Sequence, residues 1–203
     1  MKRFIAPGIL LSALLLTVAG TVAVISRGPV RVRQNKYGSL PERMQPLRRQ
    51  VILFIKNGKL SSAEKLLLRI RRIYQADHTS EKLLSKVFFL KGDLDKAEKL
   101  LRELAVRHPS DAVIRNNLGV VLVEKGHYES GKKELLKALE LSADAFYIKL
   151  NLCHTCALLG RFDLASKYWK EAEKGKHISE IPEEAITRLE PESLSQKEKQ
   201  WGK

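Results

Sequence analysis

Cysteine is almost missing from this chain. Two of its 203 residues are Cys, both in the run Cys153-His154-Thr155-Cys156. A disulfide framework therefore has no second pair to build on, and a four-thiolate zinc site lacks half its ligands. Haem attachment of the Cys-x-x-Cys-His kind fails as well, because Ala157 follows the second cysteine. The five histidines, His78, His108, His127, His154 and His177, include no two at metal-ligand spacing. The chain also has no His-Glu-x-x-His, no Gly-rich phosphate loop and no Gly-x-Ser-x-Gly. Without a nucleophile, metal or phosphate motif, the sequence points away from an enzyme, and no cofactor, metal or catalytic residue is expected. Glycine and proline are sparse too, at 12 and 7 residues. With 44 % apolar and 30 % charged residues, the composition is that of a folded helical domain, not a disordered chain.

Charge is absent from Phe4 to Ile25, a run of 22 residues. As a helix it would extend about 33 Å, close to the hydrocarbon thickness of a bilayer. Apolar residues cover every face, so it does not read as an amphipathic core helix. Two membrane readings remain: a cleaved signal peptide, with Thr21-Val22-Ala23 as a passable cleavage site, and an uncleaved anchor. The length of the run favours the anchor. Acidic residues are scarce just beyond it. From Arg27 to Ile73 there are 13 basic residues against Glu42 and Glu64, whereas residues 74–203 carry 22 basic and 21 acidic. The net charge of +14 thus sits beside the apolar run. Nucleic acid is the first partner such a charge suggests, but a cluster next to a membrane segment fits an anionic lipid surface better, since that field decays within about 8–10 Å. A topology signal and a solvated helix face would explain it equally. Nucleic acid is not expected. Which side of the membrane the following residues occupy stays open, because the basic residues flank the run on both sides.

What is abundant is internal repetition. Gly58, Gly92, Gly126 and Gly160 are each 34 residues apart. Two positions beyond them stand Leu60, Leu94, Tyr128 and Phe162, and three further on the small residues Ala63, Ala97, Gly131 and Ala165. Large residues follow at Leu67, Leu101, Leu135 and Trp169, then Ile70, Leu104, Ala138 and Ala172. Upstream of the glycines the register continues through Leu84, Leu118 and Leu152, and through Phe54, Phe88, Leu122 and Cys156. Glycine accepts the left-handed conformation that ends a helix; the small residues let neighbouring helices approach closely and the large ones fill the gaps at helical spacing. Asp93 and Ser110 or Asp111 stand where helix N-caps are needed.

The segments Asn116-Asn117-Leu118-Gly119, Glu124-Lys125-Gly126-His127-Tyr128 and Lys137-Ala138-Leu139-Glu140-Leu141 together resemble a tetratricopeptide repeat. The likeness is specific in 112–145 and 146–179, good in 78–111 despite Ser85 and Leu94, and weakest in 44–77, where Gln50 departs from the usual Leu. It implies a right-handed α-solenoid of four helix pairs; with the uncharged run as an N-terminal transmembrane helix and a short C-terminal capping helix, the expected fold is all-α. The expected divisions are 1–26 for the anchor, 27–43 for a basic juxtamembrane linker, 44–179 for the repeats and 180–203 for the capping helix and polar tail. Pro182-Glu183-Glu184 reads as a good first turn for that helix, with Ile181, Ala185, Ile186 and Leu189 placed to lie on the last repeat.

The same resemblance implies a partner-binding groove lined by the first helix of each pair. Carried over by register, its rows read Arg48, Lys82, Asn116 and Leu150; Ile52, Lys86, Val120 and His154; Ile55, Phe89, Val123 and Ala157. Asn117 and Asn151 occupy the column in which family members grip a peptide backbone, a task suited to an amide that both donates and accepts. The ladder is interrupted earlier by Arg49 and Leu83. The family's clamp for a peptide C-terminus is matched only in part, by Lys82 and Lys86, and is not expected. Cys153 and Cys156 fall in packing columns and read as buried, free thiols. The function expected is a non-catalytic scaffold or assembly adaptor at a membrane, single-pass and of bacterial inner-membrane type. It would hold a protein or peptide partner with acidic and apolar residues in the groove. A structural subunit of an envelope complex, using the convex face, is the alternative.

Overall fold

A computed structural model describes residues 40–74, 77–174 and 181–187. The expected anchor at 1–26 and nearly all of the linker at 27–43 lie outside them. Among the described residues no helix is long and apolar enough to cross a membrane. The chain divides after Pro46 into two compact units; the description below concerns the second, from Leu47 onward.

Among the described residues eight helices follow one another: α1 Leu40–Lys56, α2 Leu60–Ile73, α3 His78–Leu90, α4 Leu94–Arg107, α5 Ala112–Glu124, α6 Tyr128–Leu141, α7 Phe146–Leu158 and α8 Phe162–Lys174. They form four pairs, and the turn inside each pair is built the same way. At α1, Lys59 N donates to Phe54 O and Gly58 N to Ile55 O; the same two bonds recur 34 residues on at Asp93 and Gly92, at His127 and Gly126, and at Arg161 and Gly160. This is the six-to-one and five-to-two bonding that closes a helix on a left-handed residue. The four glycines supply that residue, with φ of 67°, 79°, 83° and 70°.

The core follows the columns. Ala63, Ala97, Gly131 and Ala165 are all buried, as are Leu67, Leu101 and Leu135, and Ile70, Leu104, Ala138 and Ala172. From α2 to α8 each helix packs on the next, and the first helices α3, α5 and α7 also touch in sequence. Helices α5 and α6 approach each other closely at Gly119 and Gly131. A Cβ at Gly131 would stand 2.7 Å from the carbonyl oxygen of Gly119 and 2.5 Å from a Val123 methyl. Contact that close costs far more than dispersion returns, so the α5–α6 pair is fitted to glycine there.

Successive repeats are joined by ion pairs that repeat with the fold. Arg48 reaches Asp77 at 2.5 Å and Lys82 reaches Asp111 at 3.0 Å, each acid lying just before the next first helix. Asp111 is also a working N-cap, accepting from Val113 N at 2.9 Å and Ile114 N at 3.2 Å. Asp93, expected to cap α4, makes no such bond and instead takes Lys96 at 3.2 Å. On the opposite edge Lys91 meets Glu64 at 2.5 Å and Lys125 meets Glu98 at 2.6 Å, again 34 residues apart. The Lys125 ammonium, with Arg102, holds the Glu98 carboxyl below its usual range.

The C-terminal segment departs from expectation. Residues 182–187 do not form a capping helix. They make one turn, in which Ala185 N donates to Pro182 O at 2.8 Å, and then run on without regular structure. Ile181 does pack on the last repeat, against the cluster of Phe146, Leu150 and Ala172 with Trp169. Beyond it the chain crosses the faces of α3, α5 and α7. A helix this short is marginal by itself, and side chains of the repeats provide the backbone of residues 183–186 with partners a helix would otherwise supply.

Candidate functional site

Helices α5 and α7 bury far more of their surface than their partners. Nine of the residues of α5 are buried, from Ile114 to Val123, and nine of α7, from Phe146 to Cys156, against three in α6 and two in α8. An inner helix is covered by its own partner, by its neighbours in the row, and here also by residues 183–186. Three asparagines are buried along this inner surface: Asn116 and Asn117 are fully buried and Asn151 is 2 % exposed. Buried amides need partners, and these find them in one another and in the tail. Asn116 donates to Asn117 Oδ1 at 3.0 Å, and Asn151 donates to Asn116 Oδ1 at 2.8 Å. The remaining capacity points at main chain. Asn117 donates to Glu184 O at 2.8 Å and accepts from Ile186 N at 2.9 Å. Asn116 and Asn151 both donate to Ile186 O, at 3.1 and 2.9 Å.

Two lysines complete the cradle. Lys86 on α3 donates to Glu183 O at 2.7 Å and Ala185 O at 3.0 Å. Lys82, 5 % exposed, sits between two carboxylates, Asp111 at 3.0 Å and Glu184 at 3.1 Å. Buried charge of this kind is tolerable only when paired, and the pairing makes Lys82 the group that reads an acidic side chain on the segment. Tyr147, at the start of α7, lies near both carboxylates. Burial, and then the charges of Asp111 and Glu184, push its hydroxyl up to about 12. Ala185 and Ile186 are each 2 % exposed. Lys56 pairs with Glu183 at 3.1 Å at the exposed end of the site.

The expected groove residues thus separate. Lys82, Lys86, Asn116, Asn117 and Asn151 converge on residues 183–186. Arg48 stands in the same row, yet its guanidinium is taken by Asp77 and links repeats. In the second row Val120 is buried and Ile52 and His154 are half-buried, as is Phe89 in the third. The segment 181–187 itself, Tyr147 and Lys56 were not among the expected site residues. Cys153 and Cys156 are fully buried thiols that form no disulfide, in a cluster with Ala165, Tyr168 and Trp169. Burial pushes the Cys156 thiol up, the opposite of what a reactive thiolate needs. Among the described residues no group of three or more His, Cys, Asp or Glu is placed to hold a metal ion.

The paired helices and the glycine-closed turns define a helical-repeat fold of the kind seen in tetratricopeptide proteins. Solved structures of that architecture resemble it. "MamA 41-end from Desulfovibrio magneticus RS-1" superposes with a TM-score of 0.57 at 15 % identity, covering 70 % of this chain and 84 % of that one. "Crystal structure of MamA" gives 0.55 at 16 % identity, covering 67 % and 80 %. "MamA AMB-1 P212121" gives 0.52 at 26 % identity, covering 64 % and 77 %. The likeness is one of fold. No family model matches the chain, and no curated protein matches it.

Proposed function

We propose that this chain is a non-catalytic scaffold, tethered to a membrane by residues 4–25, that holds a segment of a partner protein in the concave groove formed by α3, α5 and α7. The observation that carries the reading is the use of side-chain amides and an ammonium to satisfy main-chain groups at Glu183, Glu184, Ala185 and Ile186. Main-chain recognition gives affinity without dictating sequence, and nearby side-chain contacts then select the ligand. Here Lys82 selects for acid and the buried positions of Ala185 and Ile186 for small and branched apolar groups. The basic residues between Arg27 and Ile73 support contact with anionic headgroups as well.

Site-specific photo-crosslinking in cells tests it, with the reactive residue at Phe89 or His154. A discrete protein adduct, lost when Asn117→Ala and Asn151→Ala are combined, is the expected result. An adduct that survives the double substitution, or none from abundant folded protein, overturns the groove reading. Carbonate-resistant membrane association that disappears on removing residues 1–26 is expected for the tether; association unchanged by that removal overturns it.

A further inference from the structure

We infer that residues 181–187 are a resident competitor in the partner groove, occupying it in cis until an incoming acidic-apolar segment displaces them. The inference rests on the reading of the groove given above, and it names both the ligand class and the control of that site. Five backbone groups of the segment, the carbonyls of Glu183, Glu184, Ala185 and Ile186 and the N–H of Ile186, are bonded by side chains of the repeats. Among the described residues the segment's own main chain supplies one bond, from Ala185 N to Pro182 O. A permanent lid would satisfy its own backbone, as a capping helix does, and use the array for apolar contact alone. This segment is held as a bound peptide is held.

The contacts are of a replaceable kind. Amides of Asn116, Asn117 and Asn151 recognise main chain, so another chain following the same path meets the same donors and acceptor. Lys82 keeps Asp111 as a partner when Glu184 leaves, so departure strands no buried ammonium. Lys56 and Glu183 are 61 % and 50 % exposed on their side chains, and water replaces that pair at little cost. The anchor side chains define the competitor's chemistry: an acidic residue, then a small one, then a branched apolar one, in the order Glu184-Ala185-Ile186. Six residues separate Lys174 from Ile181, and a connection that short gives a tethered segment an effective concentration on the order of 1 mM. A free segment of the same affinity must exceed that value, or bind better, to enter.

The test uses a fluorescently labelled synthetic peptide, Ile-Pro-Glu-Glu-Ala-Ile-Thr, and the full chain in detergent. Fluorescence anisotropy compares the wild type with a full chain carrying Glu184→Lys and Ile186→Asp, which disable the tail and leave the repeats intact. The disabled chain is expected to bind the peptide at least about tenfold more tightly, as an effective concentration near 1 mM against a ~100 µM site requires. Equal affinity in the two chains overturns the competitor and leaves the groove reading standing. No binding to either chain overturns both. A second measurement needs no variant. In the 15N-labelled wild-type chain, hydrogen exchange at the Ile186 amide is expected to accelerate as unlabelled peptide is added. Exchange that stays constant up to saturating peptide overturns displacement.

Discussion

Asn117 grips residues 184 and 186 with one amide: its Nδ2 donates to Glu184 O at 2.8 Å and its Oδ1 accepts from Ile186 N at 2.9 Å. The two bonds are those a neighbouring strand would make, delivered by a side chain. Asn117→Ala removes both and leaves the Ile186 N–H without its acceptor. At roughly 1 kcal/mol for each net bond, the segment should open about 30-fold more readily. Hydrogen exchange at Ile186 is the measurement, with the amides of α5 as the internal reference. Acceleration at Ile186 with α5 unchanged is expected. Equal protection in wild type and variant would show that the amide holds nothing.

How far the sequence reveals this arrangement depends on the range over which each feature is decided. The helix-closing glycines and the column of Ala63, Ala97, Gly131 and Ala165 are set within a few residues and repeat at fixed spacing, so periodicity exposes them. Asp111 was legible as a cap for the same reason, whereas Asp93 has the right position and spends its carboxylate on Lys96. The register alone places Arg48 in the groove row, although Asp77, 29 residues on, takes its guanidinium. The signal was present, since Lys82 and Asp111 repeat that pair 34 residues later. The third rung has Asn116 in place of the cation and Ala145 in place of the acid, which leaves Asn116 available to Ile186. The C-terminal segment was not legible. Pro182-Glu183-Glu184 starts a helix as well as it starts a turn, and the choice is made by asparagines 67 to 70 residues away in the chain.

Asp111 serves two neighbours at once, and its loss should separate buried electrostatics from exposed. It caps α5 and pairs with Lys82, whose side chain is 7 % exposed. Asp111→Ala is expected to cost about 2–4 kcal/mol: about 1 for the cap and the rest for the lost charge-assisted bond to Lys82, which keeps Glu184 as its remaining partner. Asp111→Asn keeps an acceptor for the cap and should fall between the two. Glu183→Ala, at the exposed pair with Lys56, should stay within about 0.5 kcal/mol of wild type. Urea midpoints of the three variants decide the order. Equal losses at Asp111 and Glu183 would show that the buried Asp111–Lys82 pair contributes no more than the exposed one.

Two glycines, Gly126 in the α5–α6 turn and Gly131 within α6, should fail for different reasons. Gly126 has φ of 83° and open space where a Cβ would go. Gly126→Ala therefore costs only backbone strain, about 1–2 kcal/mol, and Gly126→Asn should recover part of it. Gly131 is an ordinary helical residue pressed against Gly119 and Val123. Gly131→Ala forces the helices apart and is expected to cost about 1–3 kcal/mol despite the better helix propensity of alanine. Asparagine at 131 should be worse than alanine, reversing the order at 126. The same order at both sites, from thermal unfolding, would contradict the close approach.

Tyr147 links the groove to alkaline pH. It is 5 % exposed, and burial, followed by the charges of Asp111 and Glu184, raises its hydroxyl from 10.0 to about 12. In the unfolded chain the proton leaves near pH 10, whereas the folded chain keeps it until about 12. The folded state thus binds more protons between those values, and stability falls as pH rises through that window. Below pH 10 the contribution is complete and independent of pH. A shift of that size corresponds to at most about 2–3 kcal/mol. Tyr147→Phe has no proton to lose, so the stability difference between wild type and variant should shrink steadily from pH 10 upward. Lysines titrating in the same range affect both proteins alike and cancel in the difference. Glu184→Gln removes one of the two charges and should narrow the window modestly, because burial is the larger cause. Urea midpoints at several pH values between 9 and 11.5, for wild type and Tyr147→Phe, provide the test. Two parallel curves would mean that the ring is reached by water in the folded chain.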